Sequence, residues 1–113
     1  MEMTVQNSPL ELTEAAACFA ALGSEQRLGV LKVLVRAGPE GLSIGDLGER
    51  AGVTGSTLTH HMKLLAAAGL VQQVRDGRRI FCIGAAYART QALSKFLLEE
   101  CCADSDAEGH DHG

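Results

Sequence analysis

The spacing of apolar residues predicts four helices, a hairpin and a final helix, in that order. In Val53-Thr-Gly-Ser-Thr-Leu-Thr-His-His-Met-Lys-Leu-Leu-Ala-Ala-Ala-Gly-Leu-Val71, Leu58, Met62 and Leu65 fall at i, i+4 and i+7, so one stripe of a helix points inward. Thr54 is placed to cap its start through the side-chain oxygen, and Gly69 to take the left-handed conformation that closes it. The outer face then carries Ser56, Thr57, Thr59, His60 and Lys63, small donors and acceptors with nothing bulky, which suits a helix lying in the major groove of DNA. Upstream, Ser43-Ile-Gly-Asp-Leu-Gly-Glu-Arg-Ala-Gly52 reads as a shorter helix capped by Ser43, with Ile44, Leu47 and Ala51 inward and Gly52 making the turn. Two short helices joined this way form a helix-turn-helix, the second being the reader. Leu70–Arg75 and Arg79–Ile83 are strand-like around Asp76-Gly77, a strong hairpin signal, and Arg75, Arg78 and Arg79 gather near the tip.

The flanking segments read as scaffold. Ser8-Pro-Leu-Glu11 has the form of a capping box with Pro at the first helical position, and Leu12, Ala15, Ala16, Phe19 and Leu22 recur at helical spacing until Gly23. Ser24 caps a second helix to about Arg36, with Leu28, Leu31, Leu34 and Val35 inward, ended by Ala37-Gly-Pro39. Residues 39–42 make a short link. From Ala85 to about Cys102 the chain is helix-compatible, with Leu93, Phe96, Leu97 and Cys101 on one stripe. The fold class predicted is mainly α with a two-stranded β-hairpin, a winged helix-turn-helix. Residues 1–7 form an N-terminal tail, 8–102 one DNA-binding and dimerisation domain, and 103–113 a disordered acidic tail.

Composition narrows the picture. A chain of 113 residues with 46% hydrophobic but only 4% aromatic residues has a modest core, so pairing with a second copy is a natural way to bury more surface. No apolar run is long enough for a bilayer and Met-Glu-Met-Thr lacks the regions of a signal peptide, so a cytoplasmic location without membrane association is expected. The net charge of -4 argues against DNA only superficially. Glu99, Glu100, Asp104, Asp106, Glu108 and Asp111 lie in the last fifteen residues, where there is no Lys or Arg, and the rest of the chain is net basic. Lys63, Arg75, Arg78 and Arg79 face only Asp76 in the segment 54–82, and the local field is what phosphate feels. No paired acid and base, phosphate loop or nucleophile elbow is present, so an enzyme is not expected.

Phe19-Ala-Ala-Leu-Gly-Ser-Glu-Gln-Arg-Leu28, Leu47–Val53, Ser56–Leu65, Ala68-Gly-Leu-Val71 and Arg75-Asp-Gly-Arg-Arg79 together resemble the ArsR/SmtB repressors, from about Phe19 to Ile83. The resemblance implies a homodimer held by the first and last helices, presenting two reader helices to a palindromic double-stranded operator. It also implies release from DNA when a metal or metalloid binds, with no constitutive cofactor. The family's usual sites are absent: the helix Ile44–Ala51 has no Cys-x-Cys, and Ala86–Leu98 has no Asp, His or Glu.

Four cysteines, Cys18, Cys82, Cys101 and Cys102, carry the remaining chemistry. In the cytoplasm they should be thiols. Cys18, among Ala17, Phe19 and Ala20, reads as a small buried hydrophobe. Cys82, Cys101 and Cys102 are the ligands the resemblance leaves, soft donors suited to trivalent arsenic or antimony. A further resemblance, to atypical arsenic-responsive members with one wing-strand cysteine and a terminal Cys-Cys pair, points to methylarsenite, whose carbon substituent leaves two positions for thiolates. Arsenite, methylarsenite and antimonite all stay open as effectors. The expected pair is Cys82 with Cys101, Cys102 supporting. A straight helix from Ala86 to Cys101 would span about 23 Å at roughly 1.5 Å per residue, so either it folds back or the site joins two subunits, and the second is favoured. His61 is read as a partly buried support residue and His60 as a DNA contact. Zinc or nickel on His110, His112 and the terminal cysteines is a weaker reading. The rivals are a redox or sulfur-species sensor acting through a disulfide or polysulfide, and a helical interaction protein that never touches DNA.

Overall fold

The computed structural model describes residues 10–77, 79–84 and 87–105. In chain order the elements are α1 (Leu12–Ala21), α2 (Glu25–Ala37), β1 (Leu42–Ser43), α3 (Ile44–Ala51), α4 (Gly55–Ala67), β2 (Val71–Asp76), β3 (Arg79–Gly84) and α5 (Tyr87–Phe96). This is a winged helix-turn-helix with one strand more than the hydrophobic pattern predicts. Leu42 and Ser43 pair antiparallel with Cys82 and Phe81, so β3 is the central strand of a three-stranded sheet in the order β1-β3-β2. Two residues carry no period of their own, and only the arrival of β3 gives the link after α2 a ladder to join. The β2–β3 register runs from Val71 opposite Gly84 to Asp76 opposite Arg79, and Gly77 beyond the end of β2 takes φ +65. The expected N-terminal tail, Ser8, Pro9, Arg78, His110 and His112 lie outside the described residues.

Each helix starts and stops for a local reason. Ser24 Oγ accepts the Arg27 amide at 3.3 Å, and Ser43 Oγ accepts the Asp46 amide at 3.2 Å, as expected for N-caps. α1 begins later than the sequence pattern implies. Its N-cap is Glu11, in a reciprocal capping box with Glu14. The N-cap of α4 is Thr54, but its side chain makes no capping hydrogen bond, contrary to expectation. α4 closes with Gly69 at φ +77, where the Leu70 amide reaches the Leu65 carbonyl at 3.0 Å and the Gly69 amide reaches that of Ala66 at 2.9 Å. That paired ending requires a left-handed residue, which glycine supplies without a Cβ clash.

The core joins α2, α3, α4 and the sheet. Leu34, Leu47, Leu58, Met62, Leu65 and Leu70 are its largest fully buried side chains. Two predicted faces are corrected. In α1 the buried face is Ala15, Cys18 and Ala21, while Leu12, Ala16 and Phe19 are exposed. The small residues let α1 approach α4 closely enough for the Cys18 thiol to donate to the Ala68 carbonyl at 3.3 Å. In α2 Val30, Leu31 and Leu34 are buried, but Leu28 and Val35 are exposed. α5 is likewise shorter than expected: it ends at Phe96, with Leu93 buried and Leu97 and Leu98 each 68% exposed. Among the described residues no helix is long and apolar enough to cross a membrane.

Candidate nucleic-acid interface and thiol pair

The reader helix α4 is held from behind by Leu58, His61, Met62 and Leu65, all buried. Ser56, Thr57, Thr59, His60 and Lys63 are therefore forced outward, and all five are exposed. The Thr59 hydroxyl donates to the Gly55 carbonyl one turn back at 3.0 Å, so toward a base edge it offers its lone pairs and methyl group rather than its proton. Thr54 makes no side-chain cap, so its hydroxyl takes none of the first amides of α4, the positive end of the helix dipole. On the wing, Arg75 is exposed on β2 and Arg79 opens β3 opposite Asp76.

His61 has a different task from its neighbour. It is 8% exposed, and its Nε2 lies 2.8 Å from Gln26 Oε1, pinning the reader helix to α2. Burial, then the charge of Arg27 and the nearby His60, push its pKa below the ordinary value, so it is the neutral ring whose Nε2–H donates to Gln26. The other end of α4 is held as firmly. Besides the Cys18 thiol on Ala68, the Arg89 guanidinium of α5 packs over Gly69, so closely that a Cβ there would come within 2.9 Å of Nη2. A cation at this point complements the negative end of the α4 dipole. The first and last helices thus both grip the reader, a connection with no sequence signal, because it joins residues far apart through one backbone carbonyl and one glycine.

The cysteines divide into two environments. Cys82 on the central strand is fully buried, flanked by Leu42 and Gln73, and burial raises its thiol to about 11. Cys18 is also buried, and desolvation raises its pKa, against a lowering by Arg89 and with a smaller raising by Glu14. Cys101 and Cys102 are exposed, with Sγ atoms 3.5 Å apart. They lie beyond the end of α5 at Phe96, so helical spacing does not hold these neighbouring side chains apart. Successive i→i−3 turns follow, from Leu98 on Lys95 to Ser105 on Cys102, and Cys102 takes φ +64. Within one chain the structure brings Cys101 and Cys102 together, and the straight helix expected to run on to Cys101 ends at Phe96. Among the described residues no three His, Cys, Asp or Glu side chains are grouped to hold a metal. For bonds of about 2.3 Å, a tetrahedral centre spans thiolates about 3.8 Å apart. The terminal pair thus fits a thiophilic centre that needs two protein sulfurs, and one chain does not complete a three-sulfur site.

Comparison with known proteins agrees with this architecture. A family model described as a helix-turn-helix domain matches residues 22–74. The chain is 36% identical over 76 residues to an uncharacterized HTH-type transcriptional regulator, YceK, of Bacillus subtilis (strain 168), covering 67% of this chain and 73% of that protein. It is similar to the structure of an ArsR-like transcriptional regulator from Rhodococcus sp. RHA1, with TM-score 0.63 and 29% identity over 80% of this chain and 81% of that one. It is also similar to the homodimeric winged helix-turn-helix DNA-binding domain of a possible ArsR-family regulator from Mycobacterium bovis, with TM-score 0.63, 25% identity and 90% of each chain covered. With the reader helix, its support and the wing in the same order, this chain belongs to the helix-turn-helix transcriptional regulators of the ArsR type.

Proposed function

We propose that the protein is a dimeric repressor that binds a palindromic operator and releases it when a trivalent arsenical binds cysteine thiolates. Ser56, Thr57, Thr59 and His60 face bases or backbone, and Lys63, Arg75, Arg78 and Arg79 face phosphates. Arsenite, methylarsenite and antimonite are the effector candidates, with Cys101 and Cys102 as the primary ligands and Cys82 as a third only after rearrangement or from the second subunit. The observation that carries the effector reading is the 3.5 Å contact between the two exposed terminal sulfurs. An arsenical already carrying one carbon substituent needs only two thiolates, which favours methylarsenite within this set.

Dimerisation is supported by the apolar surface one chain leaves uncovered. Leu12 is 73% exposed, and Phe19, Leu97 and Leu98 are exposed with it. The radius of gyration of 17.0 Å exceeds the roughly 13 Å of a compact chain of this length, as for a subunit whose arms reach beyond its own core. Two copies joined through α1 and α5 would set two reader helices about one turn of DNA apart, or a multiple of it. Effector binding beside α5 would then shift the dimer toward a form of lower operator affinity, and DNA must weaken effector binding by the same factor.

The test is a titration of operator-bound protein with arsenite, methylarsenite, antimonite, zinc and hydrogen peroxide, repeated on each Cys→Ser variant. Methylarsenite should release the operator from the wild type and from Cys18→Ser, but not from Cys101→Ser or Cys102→Ser. Release of the triple variant Cys82→Ser, Cys101→Ser, Cys102→Ser by every arsenical would end the proposal.

A further inference from the structure

The contact that makes Cys101 and Cys102 a ligand pair also makes them redox partners. We propose that a two-electron oxidant of the hydroperoxide class closes this pair into a vicinal disulfide within one chain, and that the closed form no longer accepts a thiophilic ligand. The second clause rests on the effector reading given above. The first stands on the geometry alone.

Several observations select this pair. Both residues are exposed, so oxidant and reductant can reach them, and the two sulfurs lie 3.5 Å apart. Cys82 and Cys18 are buried in the sheet and under α1, each with its thiolate disfavoured by desolvation, and neither can compete. In the reaction one thiolate attacks a peroxide oxygen. The O–O bond breaks, a sulfenic acid forms and one water leaves after protonation. The second sulfur then attacks the sulfenic sulfur, the S–O bond breaks and the oxygen departs as a second water. Two thiols and one hydrogen peroxide thus become one disulfide and two waters, both electrons passing from sulfur to peroxide.

The product should be easily reversed. Consecutive Cα atoms across a trans peptide are about 3.8 Å apart, below the roughly 4.4–6.8 Å usual for a disulfide, so the ring is strained and readily reduced. All described peptide bonds here are trans. Such a bond would reopen in a reducing thiol pool instead of persisting as a structural link.

The experiment uses the full chain, reduced and freed of reductant, then treated with hydrogen peroxide and read by intact and peptide mass spectrometry. The expected result is loss of two hydrogens, with both sulfurs of one peptide joined and the other two thiols still open to alkylation under denaturing conditions. Cys82→Ser should behave the same, and Cys101→Ser should yield no intrachain link. A link to Cys18 or Cys82, a link between two chains of the wild type, or oxygen gained without a link would overturn the proposal. For the masking clause, phenylarsine oxide is the probe: one equivalent should bind the reduced protein and none the oxidised one, with binding restored by dithiothreitol. Undiminished uptake by the linked form would overturn that clause. Failure of the effector reading looks different: methylarsenite would still release operator from Cys101→Ser and Cys102→Ser, while the mass result stood.

Discussion

The half of the molecule built from α3, α4 and the sheet is closed on itself, and the half built from α1, α5 and the turns after it is open. In the first half, Leu47, Leu58, Met62, Leu65, Leu70 and Cys82 are sealed from solvent. In the second, Leu12, Phe19, Leu97 and Leu98 stand exposed, and two thiols lie at the surface beyond the last helix. A closed unit specifies its own shape, whereas an open one takes its final form from what binds it. Under the function proposed above, the open half is where a second copy and an effector would act, and the closed half is what they would reposition.

The sharpest break of this contrast is Leu12→Glu with Leu97→Glu. Both side chains are exposed in the single chain, so the fold should survive with unchanged circular dichroism. Placing carboxylates on an apolar interface should separate the copies, and losing the linked second half-site should cut operator affinity about 10²- to 10⁴-fold. Sedimentation and operator titration measure the two effects. A variant that stays dimeric would move the interface away from α1 and α5.

Leu47→Ala attacks the closed half. Leu47 is fully buried where α3 meets the core, and removing it should cost about 2–5 kcal/mol of unfolding free energy, seen as a lower urea midpoint. The outcome separates the halves cleanly, because this variant loses stability where the surface variant loses assembly.

How well the residues announced each half follows the same division. The closed half is readable because the reader helix buries its stripe completely: Leu58, Met62 and Leu65 face inward as their spacing requires, Leu47 of α3 is buried with Ile44 and Ala51 partly so, and the wing strands fall within a residue of their predicted bounds. The open half misled the reading. Leu12 and Phe19 look like a core stripe because periodicity identifies an apolar face without saying whether this chain or another covers it. β1 escaped because two residues hold no period. The contact between Cys101 and Cys102 has no sequence signal for a backbone reason: the expected helix stops at Phe96, and the positive φ at Cys102 depends on turns that no hydrophobic pattern marks.

Gly69→Ala tests the joint between the halves. The position is left-handed at φ +77, which costs an L-residue about 1–2 kcal/mol, and the new methyl would also displace the Arg89 guanidinium. Thermal unfolding should report the loss. Arg89→Ala combined with Gly69→Ala should cost less than the sum of the single changes, since removing the guanidinium relieves the clash. Strict additivity would show that Arg89 does not rest on the end of α4.

The smallest expected effect concerns His61, the link between α2 and the reader. Its folded pKa lies below its ordinary 6.5, because burial and the neighbouring Arg27 and His60 disfavour the imidazolium. As pH falls below 6.5, the unfolded chain takes up a proton that the folded chain refuses, so protonation favours unfolding. The stabilising contribution is therefore fully present above pH 6.5 and declines as pH falls toward the lower, folded value. Urea midpoints between pH 8 and 5 should show this decline in the wild type, superimposed on the other carboxylate and histidine titrations. His61→Gln can keep a side-chain donor for Gln26 without titrating, and the difference between its curve and the wild-type curve should open only on the acid side. His60→Gln leaves the buried ring in place and should retain the decline. A His61→Gln curve parallel to wild type throughout would mean that the ring between α2 and α4 takes up its proton as easily folded as unfolded, and that the seal on the closed half is looser than its burial implies.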